Sequence, residues 1–316
     1  MAPSFGASIF LVSFFWRFIG NTRRQKIVFL TVLVSLAVGF HARITNDYRW
    51  EWTRQTRFFD QINWRMPGIE PQTSIFINKS ISGFLNSYSA LAALNTTLDI
   101  KGYPSNLPYW LENYFGSPVE NNLKRYLNGK PINLDYRMYS FEIDRENTIA
   151  IYHDPEQCLK VLAPNDLNNF LVPKDYRILG ETSNVSRIDP QGTNTDLPVV
   201  IFGKEQDVYW CYYYQKADLA RQQGHWDEMI GYLDEAKAKG FESNNEGEYI
   251  QFVQAYGMLG EWENAMSLSQ DLYEKDPDST LAGLCFVWGE FKTQFPQDPA
   301  FTSAYETVNQ LIGCQP

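Results

Sequence analysis

The chain has 316 residues, 44% hydrophobic and 16% aromatic, enough for two ordinary domains with sizeable cores and too apolar for a mainly disordered protein. Residues 1–43 hold five basic residues and no acidic one, which leaves 22 basic against all 37 acidic residues in the remainder, a net of −15. A body that acidic repels phosphate backbones, so the composition argues against nucleic acid as a partner and against anionic lipid anywhere but at the basic N-terminal end.

Two apolar segments come first. "SFGASIFLVSFFWRFIG" is apolar from Phe5 to Gly20 apart from Arg17, and "IVFLTVLVSLAVGFHA" runs from Ile27 to Ala42 without Asp, Glu, Lys or Arg. Each is slightly short of the roughly 20 residues that cross a bilayer, a gap that snorkelling flanks can close. They predict a transmembrane helical hairpin over residues 1–43, with the lipid bilayer as partner along residues 5–42. Arg23, Arg24 and Lys26 lie in its connecting loop. The positive-inside rule sets that loop in the cytoplasm and the bulk of the chain on the extracytoplasmic side of the cell membrane. A buried core helix and a signal peptide whose apolar core is the second segment are the competing readings. Against the second stand a poor small-x-small site near "VGFHA" and a charged region far from Met1. A chain that opens straight into an apolar hairpin would suit the last hairpin of a longer polytopic protein.

Residues 44–66 follow as an expected interfacial amphipathic helix. Tyr48, Trp50, Trp52 and Trp64, with Arg49, Arg54, Arg57 and Arg65, suit a membrane interface, where an indole buries its ring and keeps its N–H wet. Packing of the same helix on a soluble domain is compatible with this.

Residues 67–203 predict a mixed α/β domain. "TSIFIN" is a β-branched strand candidate, and Ser80 is a plausible N-cap for a helix over Ser80–Leu94. "LPYWLENYF" and "VENNLKRYLNG" suggest two short helices, the second stopped by Gly129. "INLDYRMYSFEI", "TIAIYHD", "CLKVL" and "LPVVIFG" are strand candidates. Glu181–Pro198 is the most loop-like stretch and a fair domain boundary.

Signals of catalysis are weak. There is no Gly-rich phosphate loop, GxSxG or HExxH, and His41, His153 and His225 are the only histidines. His153, Asp154 and Glu156 at a strand end form a polar-site candidate, with a solvated turn as the plainer reading. Asp135, Glu142 and Asp144 have no spacing that singles out an acid/base pair. Asp276-Pro-Asp278 resembles a metal-binding DxD but falls where a helix should stop at Pro277. No catalytic residue, metal ligand set or cofactor is assigned. Cys158, Cys211, Cys285 and Cys314 contain no CxxC, which argues against structural zinc. Cys211 and Cys285 fall in expected helices as small apolar residues. An exported domain could pair some of the four, and the sequence leaves the pairing open. Asn78, Asn95 and Asn184 match the N-glycosylation pattern.

Residues 204–316 contain a repeat. Gly224-His-Trp226 is echoed 36 residues later by Gly260-Glu-Trp262. Both flanks have helix–turn–helix character, with Gly at the break, where a positive φ is easiest. Carboxylates sit in the first turn of each second helix, where the helix dipole favours them. Trp226 and Trp262 are expected to be largely buried, each against the first helix of its own hairpin. Isolated hairpins cannot bury an apolar face, so such units stack.

This pattern resembles tetratricopeptide repeats, helical hairpins of 34 residues, from Val208 to about Leu311. The first unit matches at Tyr213, Ala217, Leu233 and Ala236 and departs at Lys216 and Met229. The second matches at Tyr249, Phe252, Tyr256, Ala265 and Pro277 and departs at Val253 and Ser269. A third, degenerate unit over Ser279–Leu311 carries Trp288-Gly289, and "GFESNNEGE" absorbs the two extra residues. The resemblance implies a concave surface for a protein or peptide, with Gln215, Asp218, Gln222, Gln251 and Gln254 on first helices as groove candidates. Packing of the repeats against the α/β domain is the plainer alternative.

"WRMPGIEPQT", "CLKVL" and "WCYYYQKADLARQ" also resemble a group of bacterial multi-pass membrane proteins, some of them similar to dolichyl-phosphate-mannose mannosyltransferases. Catalytic acids in such enzymes lie in early loops that nothing here matches, so no catalytic residue carries over.

The fold class expected is therefore a membrane-anchored α+β protein with an N-terminal transmembrane hairpin, a mixed α/β middle domain and C-terminal all-α helical-hairpin repeats. Two functions follow. One is an extracytoplasmic interaction module without catalysis of its own. The other is the C-terminal, non-catalytic portion of a membrane glycosyltransferase that uses lipid-linked sugars.

Overall fold

The computed structural model describes residues 2–18, 22–98, 107–136, 139–164, 171–192, 198–202 and 208–314. It divides into two compact units, Met1–Thr53 and Arg54–Pro316.

In the first unit, helix α1 (Ala2–Phe18) is followed by the start of helix α2 (Arg23–Arg65). The two touch through Phe15 and Phe29, with ring centroids 4.9 Å apart, and through Lys26, whose ammonium lies 4.3 Å from the Trp16 ring centre. Among the described residues one helix, α2, is long and apolar enough to cross a membrane, and none of its apolar window is buried in protein; Ser8–Arg17 is a shorter apolar stretch. No break separates the apolar segment from the Trp/Arg-rich stretch after it, for α2 continues through 43 residues.

The last three turns of α2 belong to the second unit. Phe58, Phe59, Ile62 and Met66 are buried, at spacings that put them on one helical face. They meet a four-stranded sheet of order β2-β1-β5-β6, built from β1 (Thr73–Ile77), β2 (Tyr109–Asn113), β5 (Thr148–Tyr152) and β6 (Lys160–Val161). β1 runs parallel to β2 and β5, in register Ile75↔Leu111 and Ile75↔Ile149, while β6 is antiparallel to β5. Helix α3 (Ser87–Leu98) makes the crossover between the first two strands. Short helices α4 (Pro118–Asn121) and α5 (Leu123–Leu127) lead to a separate hairpin of β3 (Ile132–Tyr136) and β4 (Tyr139–Ile143). Strands β1 and β5 are β-branched and buried on both faces, as parallel strands are.

Several expectations for this region need correction. "YWLEN" is a strand, because its aromatic run pairs with β1 and leaves Trp110 and Leu111 buried. Helix α3 starts at Ser87, where Asn86 accepts from the Ser89 amide at 2.9 Å; Ser80 instead accepts a hydrogen bond from Asn113. "VVIF" is a one-turn helix, α7 (Val199–Phe202), that buries Phe202 against Phe59 and leaves Val199 exposed. One further short helix, α6 (Lys174–Arg177), precedes it. The loop-like stretch after Glu181 is stitched to the start of β1. Ile188 bridges Ile69, and Arg187 donates to Thr73 and to the Pro71 carbonyl. Residues 193–197 of that stretch lie outside the described residues.

The C-terminal region is helical and repeat-like: α8 (Trp210–Gln223), α9 (Trp226–Ala238), α10 (Ile250–Met258), α11 (Trp262–Lys275), α12 (Pro277–Gln294) and α13 (Pro299–Ile312). Gly224 and Gly260 take φ of 73° and 74°, the left-handed conformation that a side chain resists, so both turns need glycine. Asp276 caps α12 by accepting from the Ser279 amide, and Pro277 follows as its first residue, where a missing N–H costs nothing. "ESNNEGE" holds the short turn that delays α10. At Gly257 the helices lie so close that a β-carbon would collide with the Phe291 ring.

The tryptophans of the repeat differ from expectation. Trp262 is buried, but its ring neighbours are Trp288, Phe291, Phe295 and Phe301 of the following hairpin, and its indole N–H donates to Asp298. Trp226 is only half-buried. Trp262 therefore serves the contact between its own hairpin and the next, and Trp226 instead lines a cavity. Ser269 has a use: Trp288, fully buried, donates its indole N–H to the Ser269 hydroxyl at 3.0 Å.

All four cysteines are paired, Cys158 with Cys211 and Cys285 with Cys314. Cys211 and Cys285 are thus cross-links rather than free apolar residues. The first bond ties the loop after β5 to helix α8, and the second ties α12 to the chain end after α13.

Candidate ligand-binding cavity

Helix α8 docks on the sheet and on α2 through polar side chains. Gln61 on α2 accepts from the Leu159 amide at 2.7 Å and from the Gln215 carboxamide at 3.0 Å. Gln215 also donates to the Leu159 carbonyl at 2.7 Å and is fully buried. Arg65, at the end of α2, donates Nε to Asp218 at 2.6 Å and Nη2 to Gln222 at 2.8 Å. Arg221 closes on the other Asp218 oxygen at 2.8 Å. Burial alone would push the Asp218 carboxyl up, but the Arg221 and Arg65 guanidiniums outweigh it and hold the carboxyl below its ordinary value. Gln215 and Asp218 were expected on an exposed groove wall. Both are buried, because the face of α8 that carries them is the one that meets the end of α2, with Leu159 before β6 also touching Gln215.

Beside this contact lies a cavity of about 690 Å³. One wall comes from the first helices of three successive hairpins, with Gln222 on α8, Gln251, Gln254 and Met258 on α10, and Phe286, Val287 and Glu290 on α12. Arg65, Pro164, Leu171 and Val185 close it from the middle of the chain. Asp218, Gln222, Gln251 and Gln254 thus share one cavity, together with Gly224 and Trp226; Gln215, Gly260, Trp262 and Pro277 lie outside it. The Gln251 amide nitrogen and oxygen are both buried without a hydrogen-bond partner, as is Nη1 of Arg65. Burial raises the Glu290 pKa, and Arg221 draws it back. Sequence reasoning missed Arg65, Arg221, Glu290 and Met258. Recurrent glutamine on first helices was the available signal. Nothing local marks Arg65, which meets Asp218 across 153 residues of sequence.

The His153–Asp154–Glu156 candidate falls at the end of β5, where loops of parallel sheets form ligand crevices. His153 is not part of a solvated turn. It is buried against Phe58, its ring nitrogens lack partners, and its amide donates to the Asn78 side chain at 2.7 Å. It lines a smaller cavity of about 200 Å³ with Arg54, Arg57, Glu156 and Tyr209. Asp154 faces Lys79 at 4.0 Å. Desolvation, helped by Lys79, lowers the His153 pKa from 6.5 to about 4. On acidification the unfolded chain therefore takes the proton first. Stability present above about pH 6.5 is lost as the pH falls toward 4, by about 3 kcal/mol for a shift of this size. The His153→Phe variant should gain on the wild type by that amount between pH 7.5 and pH 4 in urea unfolding curves. Parallel pH dependences of the two proteins would contradict the burial of a neutral imidazole.

Asn95 of the second glycosylation match is fully buried and spends its amide on the Leu91 and Tyr109 backbone, so its role is structural. Among the described residues no group of three His, Cys, Asp or Glu could hold a metal ion.

Fold and cavity define a mixed α/β protein with a C-terminal helical repeat-like region and one N-terminal helix apolar enough for a membrane. Comparison of the chain with family models, with curated proteins and with solved structures finds no match.

Proposed function

We propose that this protein is a membrane-anchored, extracytoplasmic interaction protein that holds a partner's polypeptide segment in the cavity of its tetratricopeptide-like repeats. The observation that carries the reading is the cavity itself. Three first helices converge on it, and its size lies within the range of ligand sites. Its lining mixes polar side chains such as Gln222, Gln254 and Glu290 with apolar ones such as Leu171, Ile250, Met258 and Val287, as a site for a polypeptide's polar main chain and apolar side chains would.

Anchoring is supported by α2, whose Ile27, Leu30, Leu36 and Phe40 are all exposed on a helix of spanning length. Sidedness is supported by Arg23, Arg24 and Lys26 at the start of that helix and by the two disulfides, which form in oxidising compartments. A two-armed experiment tests the reading. An alkaline phosphatase fused after Pro316 should be active in a bacterial host, and a photo-crosslinking residue at Gln254, in the cavity, should yield protein adducts that one at exposed Glu263 does not. An inactive phosphatase reverses the topology. Equal adducts at both positions, or none, remove the groove.

A further inference from the structure

We propose that the carboxyl-end edge of the parallel strands is a membrane-contact surface, which sets the Phe84 and Phe115 rings into the headgroup layer of a zwitterionic bilayer. The inference rests on the anchored reading above and adds to it the face of the body that lies on the lipid.

Strand direction defines the edge. β1, β2 and β5 are parallel, so their carboxyl ends, and the loops that follow them, lie together. The Arg54–Pro316 unit begins at this edge. Arg54 reaches Glu156, after β5, at 4.0 Å, and Gln55 donates to the Ser82 hydroxyl, after β1, at 3.1 Å. Arg65, which lines the repeat cavity, lies about 16 Å further along the helix.

What precedes Arg54 fixes which way the edge faces. Tyr48, Trp50 and Trp52 are exposed, and rings of this kind settle at the level of lipid headgroups. One residue separates Trp52 from Arg54, a reach of at most about 7 Å in any backbone conformation. The face that holds Arg54 and Gln55 therefore meets the headgroups first.

Two aromatic rings stand on that face. Phe84 is 47% exposed, on the loop whose Ser82 accepts both from Gln55 and from the Phe84 amide. Phe115, equally exposed, follows the end of β2. The two loops are joined, since Asn113 donates to Ser80 and the Tyr114 amide donates to the Ile77 carbonyl. Single exposed apolar side chains are ordinary on a protein surface. These two are set apart by their place, on the edge that the preceding chain holds against lipid. There a weak preference acts at high effective concentration. Charge agrees with this. The body is acidic as a whole, but beside Arg54 and Gln55 the charges are matched, Lys79 facing Asp154 and Arg54 facing Glu156. Matched pairs are neither repelled by zwitterionic headgroups nor drawn to anionic ones.

The test uses the full chain, reconstituted in phosphatidylcholine nanodiscs and labelled without reductant with a nitroxide on one introduced cysteine. Gly83→Cys is the reporter, because a β-carbon there meets nothing within 4 Å and both rings stay native. Oxygen, which concentrates in lipid, should outcompete a water-soluble nickel chelate in relaxing this label. The same preference is expected at Val34→Cys, in the apolar segment, and the reverse at Leu259→Cys, beside the cavity residue Met258. Phe84→Asp with Phe115→Asp should abolish the oxygen preference at Gly83→Cys, and adding phosphatidylglycerol should leave it unchanged. Nickel-dominated relaxation at Gly83→Cys beside lipid contact at Val34→Cys overturns the inference and leaves the anchor standing. Water contact at Val34→Cys removes the anchor, and the inference with it. An oxygen preference that survives the double variant takes the contact away from the two rings. One that appears only with phosphatidylglycerol refutes a zwitterionic partner.

Discussion

Asp218→Ala should lower the stability of the Arg54–Pro316 unit by about 3–5 kcal/mol. The reason is the charge left behind. Arg65 is almost fully buried, and its Nε loses its 2.6 Å partner when Asp218 is truncated. Arg221 lies nearer solvent and can turn outward, whereas Arg65 cannot. A buried guanidinium without a countercharge is far more costly than the same space filled by hydrocarbon. The double variant Arg65→Met with Asp218→Leu should therefore be closer to the wild type than Asp218→Ala is. Urea unfolding followed by tryptophan fluorescence separates the two cases. A single-variant loss below about 1 kcal/mol, or a double variant less stable than the single, would show that Arg65 is not buried as described. The same pair gives an acid signature. Its carboxyl lies below its ordinary value in the fold, so the stability it supplies is present above the unfolded carboxylate pKa and is lost as the pH falls through the folded one.

That cluster shows why part of the site was not legible in the sequence. Helical spacing placed Asp218, Gln222, Gln251 and Gln254 on first helices, and the structure gathers these four around one cavity. Spacing says which residues share a face but not what covers it. Gln215 and Asp218 face the end of α2, and no local pattern announces a partner as distant as Arg65. The repeated glycines were legible, because a positive φ at the turn is a local demand of the backbone. Strands β1 and β5 were legible because β-branched runs bounded by polar residues have few other uses. "YWLEN" was not, since its aromatic residues fit a short helix or a buried strand until β1 decides in favour of the strand. "VVIF" failed the opposite way: a strand-like composition became one helical turn that delivers Phe202 to Phe59. The change in role at Trp262 has a similar origin. Trp262 buries its ring and Trp226 only half of its own, because the neighbour that receives a turn tryptophan depends on the next hairpin.

Removing the Cys158–Cys211 bond, by Cys158→Ser with Cys211→Ser, should cost about 4 kcal/mol; removing Cys285–Cys314 should cost slightly less. The difference follows from the loops, 53 residues in one case and 29 in the other, because the longer closed loop restricts the unfolded chain more. Location adds to it. Cys158 follows β5 and Cys211 lies in the first turn of α8, so this bond joins the sheet to the start of the helical region. Glu248 sits at the same joint, accepting from the Cys158 amide and the Trp210 indole. Loss of the bond should therefore loosen the face of α8 that carries Gln222 and Asp218, and with it the cavity. The Cys285–Cys314 bond only fastens the end of the chain to α12. Unfolding midpoints with and without reductant, measured beside the two Ser pairs, give the comparison directly. Alkylation of unreduced protein fixes the starting point. Four reactive thiols in protein taken from native membranes would remove both bonds, and with them the support that oxidation lends to an extracytoplasmic location. No reactive thiols, together with a larger loss for the Cys158–Cys211 pair, would mark the junction of sheet and repeats as the joint on which the cavity depends.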